Sequence, residues 1–206
     1  MSFLKRKKKK IATLLLTALV FGNPCGINAQ EVEIDKEAYE YRQANPLSES
    51  AYDTVYTARM YKVGKDIPVG EYKLFAEDSG YFSISTDSNG DDILFNDNFK
   101  TFTYVTLEDG DYFTLKRSFA VPVAEVPPYK VDEIYEPGLY KVGFDIPAGE
   151  YYVETEESGY YALLYSSRDG SGNIITNDNF ENGTYVTIED GQYLDLSRSI
   201  IDLTNQ

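Results

Sequence analysis

Asp66-Ile67-Pro68-Val69-Gly70-Glu71-Tyr72 returns almost unchanged as Asp145-Ile146-Pro147-Ala148-Gly149-Glu150-Tyr151. Around each copy lies a matching unit of roughly 70 residues, the size of a small domain rather than of a solenoid repeat. Working outward, Tyr61-Lys62-Val63-Gly64 precedes the first copy as Tyr140-Lys141-Val142-Gly143 precedes the second. Downstream, Asn96-Asp97-Asn98-Phe99 recurs as Asn177-Asp178-Asn179-Phe180, with two extra residues in the second unit around positions 169–173. The repeat divides the chain into one module over 53–123 and a second over 132–206, with Tyr56 and Tyr135 matched near their starts. Pro127-Pro128 in the linker 124–131 favours an extended, semi-rigid connection. Units this small bury little surface alone, so packing of one on the other would help them.

Within each module the signals are those of strands. Tyr, Val, Ile, Phe and Thr dominate the short runs 61–63, 72–75, 81–85, 102–107 and 112–115, each bounded by Gly, Pro, Asp or Asn. Ile67-Pro68-Val69-Gly70 reads as a type I turn, because proline presets φ at the second position. Asp109-Gly110 and its twin Asp190-Gly191 read as two-residue type I′ hairpins, which need residues tolerant of positive φ. About six short strands per module with frequent turns predict an all-β fold, two tandem homologous antiparallel sandwiches or barrels.

The N-terminus is read as targeting rather than fold. An unbroken basic run over 5–10, an apolar run over 11–22 and Ile27-Asn28-Ala29 before the cut make residues 1–29 a signal peptide. The apolar run is shorter than the roughly 20 residues a bilayer span needs, so an integral membrane protein is not expected. Gly22-Asn23-Pro24 before the lone Cys25 makes a poor lipobox. Residues 30–52 form an acidic tether, with one short helix expected over 36–44 that must stop before Pro46.

Charge and composition exclude much. The chain carries 34 acidic against 19 basic residues, a net charge of −15, and the leader removes six basic residues and no acidic one. Such a surface repels phosphate backbones, so no nucleic-acid partner is expected. There is no histidine or tryptophan, and Cys25 is the single cysteine. No disulfide, zinc site or Ser-His-Asp or Cys-His nucleophile can then be assembled after the leader is cut, and no cofactor is expected.

The ordered string Y-K-V-G-x-D-I-P-x-G-E-Y, then S-G-Y, then Y-V-T-(L/I)-E-D-G-x-Y resembles a small repeated β module of uncharacterised exported proteins and lipoproteins of Gram-positive bacteria. The resemblance covers both modules and implies an all-β extracellular unit. It implies no catalytic or binding residue.

Candidate sites come from residue chemistry. Asn96, Asp97 and Asn98, with Asn177, Asp178 and Asn179, cluster side-chain oxygens that suit a sugar or a hard cation; the competing reading is a left-handed turn anchored by Phe99 and Phe180. Tyr81 and Tyr160 follow Gly80 and Gly159, and strand alternation sets each opposite in facing to its neighbour Phe82 or Tyr161, leaving a ring for ligand stacking. Asp87, Asn89 and Asp91 have the spacing of a calcium loop without its glycine and glutamate positions, so an acidic hairpin tip is expected and no metal site. Arg117 and Arg198 are expected to pair internally with a carboxylate such as Asp66 or Asp145. The paired acids Glu71, Glu108, Asp109, Glu150, Glu189 and Asp190 suit solvated turns better than glycoside hydrolysis, so no enzyme is expected.

The expectation is a secreted, extracellular, non-catalytic binding or adhesion protein at or near the bacterial envelope, with a glycan or extracellular protein as partner. A ligand-free structural spacer and a carboxylate glycosidase are the alternatives.

Overall fold

The computed structural model describes residues 48–205 except 77, 130, 132 and 169. The signal peptide, Cys25 and the expected helix over 36–44 lie outside the described residues. Among those described, helical structure is confined to three 3-10 turns at Glu49–Ala51, Val123–Glu125 and Gly170–Asn173, and no helix is long and apolar enough to cross a membrane.

Among the described residues fifteen strands carry the fold. The first seven are β1 (Met60–Lys62), β2 (Gly70–Phe75), β3 (Gly80–Ser85), β4 (Ile93–Phe99), β5 (Phe102–Leu107), β6 (Tyr112–Lys116) and β7 (Phe119–Pro122). The rest are β8 (Ile134–Tyr135), β9 (Gly138–Lys141), β10 (Gly149–Glu154), β11 (Gly159–Leu164), β12 (Ile174–Phe180), β13 (Gly183–Ile188), β14 (Tyr193–Ser197) and β15 (Ile201–Asp202). All pairings between strands are antiparallel. Two sheets, β1-β6-β3-β4 and β5-β2-β7, face each other in the N-terminal half. The order β9-β14-β11-β12 and the pair β10-β13 follow the same scheme in the C-terminal half, where a Glu154–Ile200 bridge ties β10 to the chain entering β15. Register repeats as well: Glu71 lies opposite Thr106 and Lys73 opposite Tyr104, as Glu150 lies opposite Thr187 and Tyr152 opposite Tyr185.

The recurring motif residues hold these strands. Tyr72 and Tyr151 donate their hydroxyls to the carbonyls of Pro68 and Pro147, at 2.9 and 3.0 Å. Tyr61 and Tyr140 do the same four residues upstream, to Thr57 and Glu136. Tyr61, Tyr72 and Tyr140 bury their rings and Tyr151 half-buries its own, and each ties its hydroxyl to a carbonyl in the entering loop.

Three turn assignments are corrected. In the Asp66 motif the chain reverses earlier than Ile67-Pro68-Val69-Gly70: the amide of Asp66 donates to Lys62 O at 2.8 Å, that of Gly64 to Ile67 O at 2.8 Å, and Gly64 has φ +86°. Asp109-Gly110 makes no hairpin, because β5 and β6 belong to different sheets; only Gly110 has positive φ, the pattern of a type II rather than a type I′ turn. The two Asn-Asp-Asn-Phe segments are not turns but the extended edge strands β4 and β12. Phe99 and Phe180 do anchor them, each 8 % exposed and each lying over a glycine of the neighbouring strand, Gly80 or Gly159.

The N-terminal half has its own core around Phe82, Phe113, Leu74 and Val105 between its sheets. The second core crosses between halves: Phe75, Phe102, Phe119 and Val121 join Tyr135, Tyr140, Val153 and Leu194 in one cluster. Consequently β2 is covered on both faces, and Tyr72, Lys73, Leu74 and Phe75 are all 2 % exposed or less. The linker is part of this contact rather than a free spacer. Pro127 is buried, and the Tyr129 ring lies 5.1 Å from Phe102 and 5.5 Å from Tyr140.

Candidate functional site

The junction of the halves is polar as well as apolar. Asp145, from the motif of the second copy, is buried and receives the Lys73 ammonium at 2.9 Å and the Tyr104 hydroxyl at 2.6 Å. Backbone amides of Tyr129 and Lys141 donate to it at 2.9 and 3.1 Å. Lys73 also lies 4.5 Å from the Phe102 ring and 4.8 Å from that of Tyr104, so its charge is met by one carboxylate and by π faces. Burial pulls the Lys73 pKa down, and Asp145 opposes that pull. Burial raises the Tyr104 hydroxyl well above its ordinary value, with Asp145 adding to it.

A second cluster surrounds Glu71, which accepts from Lys141 Nζ, from the Tyr193 hydroxyl and, at 3.2 Å, from Ser167. A third is made by Arg168, whose guanidinium grips Asp111 with both terminal nitrogens, at 2.6 and 3.2 Å, and donates to Thr106 O. Ser167 and Arg168 stand at the start of the loop that is longer in the second copy. Asn173, at its far end, donates to Ser166 O and Arg168 O, holding the loop toward the first half.

Beside this junction lies a cleft of about 740 Å³ between β4 and β5 of one half and the outer face of β9-β14-β11 of the other. Asn96, Asp97 and Asn98 form one wall, and Tyr160, Asp195 and Ser197 stand on the opposite one. Tyr160 is half-buried, its hydroxyl accepting from Asn177 Nδ2 at 3.2 Å. Asp195, also half-buried, is pushed up to about 7, first by burial and then by the Asp97 charge across the cleft. Asp97 keeps access to solvent, but the cleft walls strip much of its hydration and raise it too, against the amide of Asn98 that donates to it at 2.7 Å. Such a pair sets a carboxyl that keeps its proton to unusually high pH across the cleft from a second carboxyl that is itself raised.

The remaining nominated residues fall outside that cleft lining. Asn177, Asp178 and Asn179 are exposed along the free edge of β12, and Tyr81 stands on the outer face of β3, 5.2 Å from Lys116 Nζ. Phe82 and Tyr161, the neighbours of Tyr81 and Tyr160, point inward and are buried, as the two-residue period of a strand dictates. The Asp87 loop is a closed hairpin tip: Asp87 accepts from the amides of Asn89, Gly90 and Asp92, which lowers its pKa. Among the described residues no three His, Cys, Asp or Glu side chains converge as a metal centre would need.

The expectation for the matched arginines is corrected. Arg117 and Arg198 adopt positive φ, +54° each, at corners between sheets, and donate Nε–H to Ser79 O and Ser158 O at 2.9 and 3.1 Å. Asp145 pairs with Lys73 of the other half, and Asp66 caps Lys62 N. Sequence reasoning missed Asp195, because in strand β14 it occupies the place of Thr114 in β6 and so carries no repeat signal. Comparison with family models, curated proteins and solved structures finds nothing similar to this chain.

Proposed function

We propose that this chain is a secreted, non-catalytic binding protein of the bacterial envelope, built by duplication of one β-sandwich module, and that its ligand is a neutral glycan held in the cleft between the modules. The observation that carries this reading is the convergence on that cleft of Asn96, Asp97, Asn98, Tyr160 and Asp195. Amide, phenol and carboxyl groups around an apolar floor match the alternating hydroxyls and C–H faces of a sugar. The large net negative charge favours neutral over anionic polymers. The export signal and the resemblance to exported modules support the extracellular setting.

One observation favours a second reading. A carboxyl raised to about 7 facing a second carboxyl is also a pairing used in glycoside hydrolysis. Incubating the protein with neutral envelope polysaccharides separates these readings. Retention without new reducing ends, lost in Tyr160→Ala and weakened in Asp195→Ala, is the expected result. Reducing ends that vanish in Asp195→Asn would establish the hydrolase, and neither retention nor cleavage would leave the ligand-free spacer.

A further inference from the structure

We infer that the junction between the halves is a heterologous contact which the chain repeats between molecules, so that the front of one molecule's first half docks on the back of another's second half. The inference rests on register and goes beyond the glycan reading, which it does not require. Within the molecule, the outer face of β2 and β5 meets the front of β9 and β14. The positions that make this contact recur on two faces left open in the single chain.

The back face is that of β10 and β13. Glu150 stands where Glu71 does, Thr187 where Thr106 does and Tyr185 where Tyr104 does, with Tyr152 in place of Lys73. Burial differs sharply: Tyr104 is 1 % exposed in the junction, whereas Tyr185 is 67 % exposed, and Glu150 and Thr187 are exposed with it. The front face is that of β1 and β6. Lys62, Tyr112 and Asp66 stand where Lys141, Tyr193 and Asp145 do. Asp145 is buried by the first half, but Asp66 is exposed. Lys141 reaches Glu71, while Lys62 turns instead to the Gly110 carbonyl and the Tyr112 ring. The donors that meet Glu71 and Asp145 in the junction recur in large part: Lys62 and Tyr112 for Glu150, and the Tyr185 hydroxyl for Asp66, which already holds the Lys62 amide as Asp145 holds that of Lys141.

Where the two junctions differ, the changes are complementary. Phe75 and Val121 are replaced on the back face by Glu154 and Asp202, while Gly138, over which Phe102 lies, is replaced on the front face by the exposed Arg59. Arg59, Lys62 and Lys65 make the front face cationic within a strongly acidic chain, and Glu150, Glu154 and Asp202 make the back face anionic. An apolar contact inside the chain has thus become a charged one between chains, suited to reversible association. Gln192 takes the place of Asp111, so the arginine clasp is not repeated. Because front and back are different surfaces, the contact is heterologous and builds rows or rings rather than a symmetric dimer.

The test is sedimentation of the purified protein over a range of concentration and salt, with Lys62→Glu and Glu150→Lys as variants. The expected result is a mass that rises with protein concentration and falls with salt, and an association weakened about tenfold or more by either change. Mixing the two variants should restore association, because the intact front of one meets the intact back of the other and the two reversed faces complement each other. The double variant should associate again. A monomer at every concentration, or a dimer indifferent to both substitutions, overturns the inference; so does a mixture no more associated than its components. Far-ultraviolet circular dichroism and the melting temperature of each variant confirm that loss of association is not loss of fold.

Discussion

Asp195 joins the chemistry of the cleft to the stability of the fold. In the unfolded chain its carboxyl titrates near 3.8, and in the folded protein burial and Asp97 hold it near 7. Between those values the folded state keeps a proton that the unfolded state has released. The associated stability is complete below the lower value and is lost as pH rises through the higher one. A single proton bounds the slope at about 1.4 kcal/mol per pH unit. Asp195→Asn removes the titration while keeping the shape, so the variant should gain on the parent as pH rises from about 4 to about 7. Urea denaturation of both proteins across that range checks it; parallel curves would mean that Asp195 is as well hydrated in the fold as out of it.

At the level of elements, the repeated Ser-Gly-Tyr and Asn-Asp-Asn-Phe strings are two halves of one device. A side chain at Gly159 would put its Cβ 2.6 Å from Phe180 Cζ and 3.1 Å from Ser199 Cβ, so the glycine is what lets the ring seal the edge strand β12 onto β11. Gly159→Ala should cost about 1–3 kcal/mol by overpacking, whereas Gly172→Ala, which meets nothing within 4 Å, should be nearly neutral. Urea midpoints for the two variants supply the comparison. The strands with apolar or aromatic runs were legible in the sequence: β5 falls on the expected 102–107, and β2, β3 and β6 within one or two residues. By contrast β4 and β12 were illegible, because an edge strand paired on one side can carry Asn and Asp without desolvating them, and those residues read locally as turns. Half of the nominated site residues reached the cleft, since β4 was placed there by the packing of one half on the other. That packing depends on Lys73, Asp145 and Phe102 meeting across long sequence separations, which no local pattern encodes.

For the whole molecule the question is whether two repeated halves behave as two domains or one. Each alone is small enough to be marginal, and the apolar cluster running from Phe75 and Phe119 to Val153 and Leu194 is shared. The buried Lys73–Asp145 pair works in the same direction, but asymmetrically. Asp145 has four donors, whereas Lys73 has Asp145 and aromatic faces alone, so loss of the carboxylate strands a buried ammonium. Removing one partner of such a pair costs about 3–5 kcal/mol. Asp145→Asn should therefore be much more damaging than Lys73→Met, which leaves Asp145 its hydroxyl and amide donors. At about 0.7 kcal/mol per residue, the described region unfolding as one unit would absorb on the order of 110 kcal/mol, and either half alone about half of that. Calorimetry should accordingly find a single transition whose van't Hoff enthalpy matches the full heat. In Asp145→Asn the junction is weakened while each half keeps its strands, so the transition should fall in temperature and broaden toward two. Two separate transitions in the parent protein, each with about half the heat, would mean that the junction contributes less than the cores on either side and that the cleft is free to open.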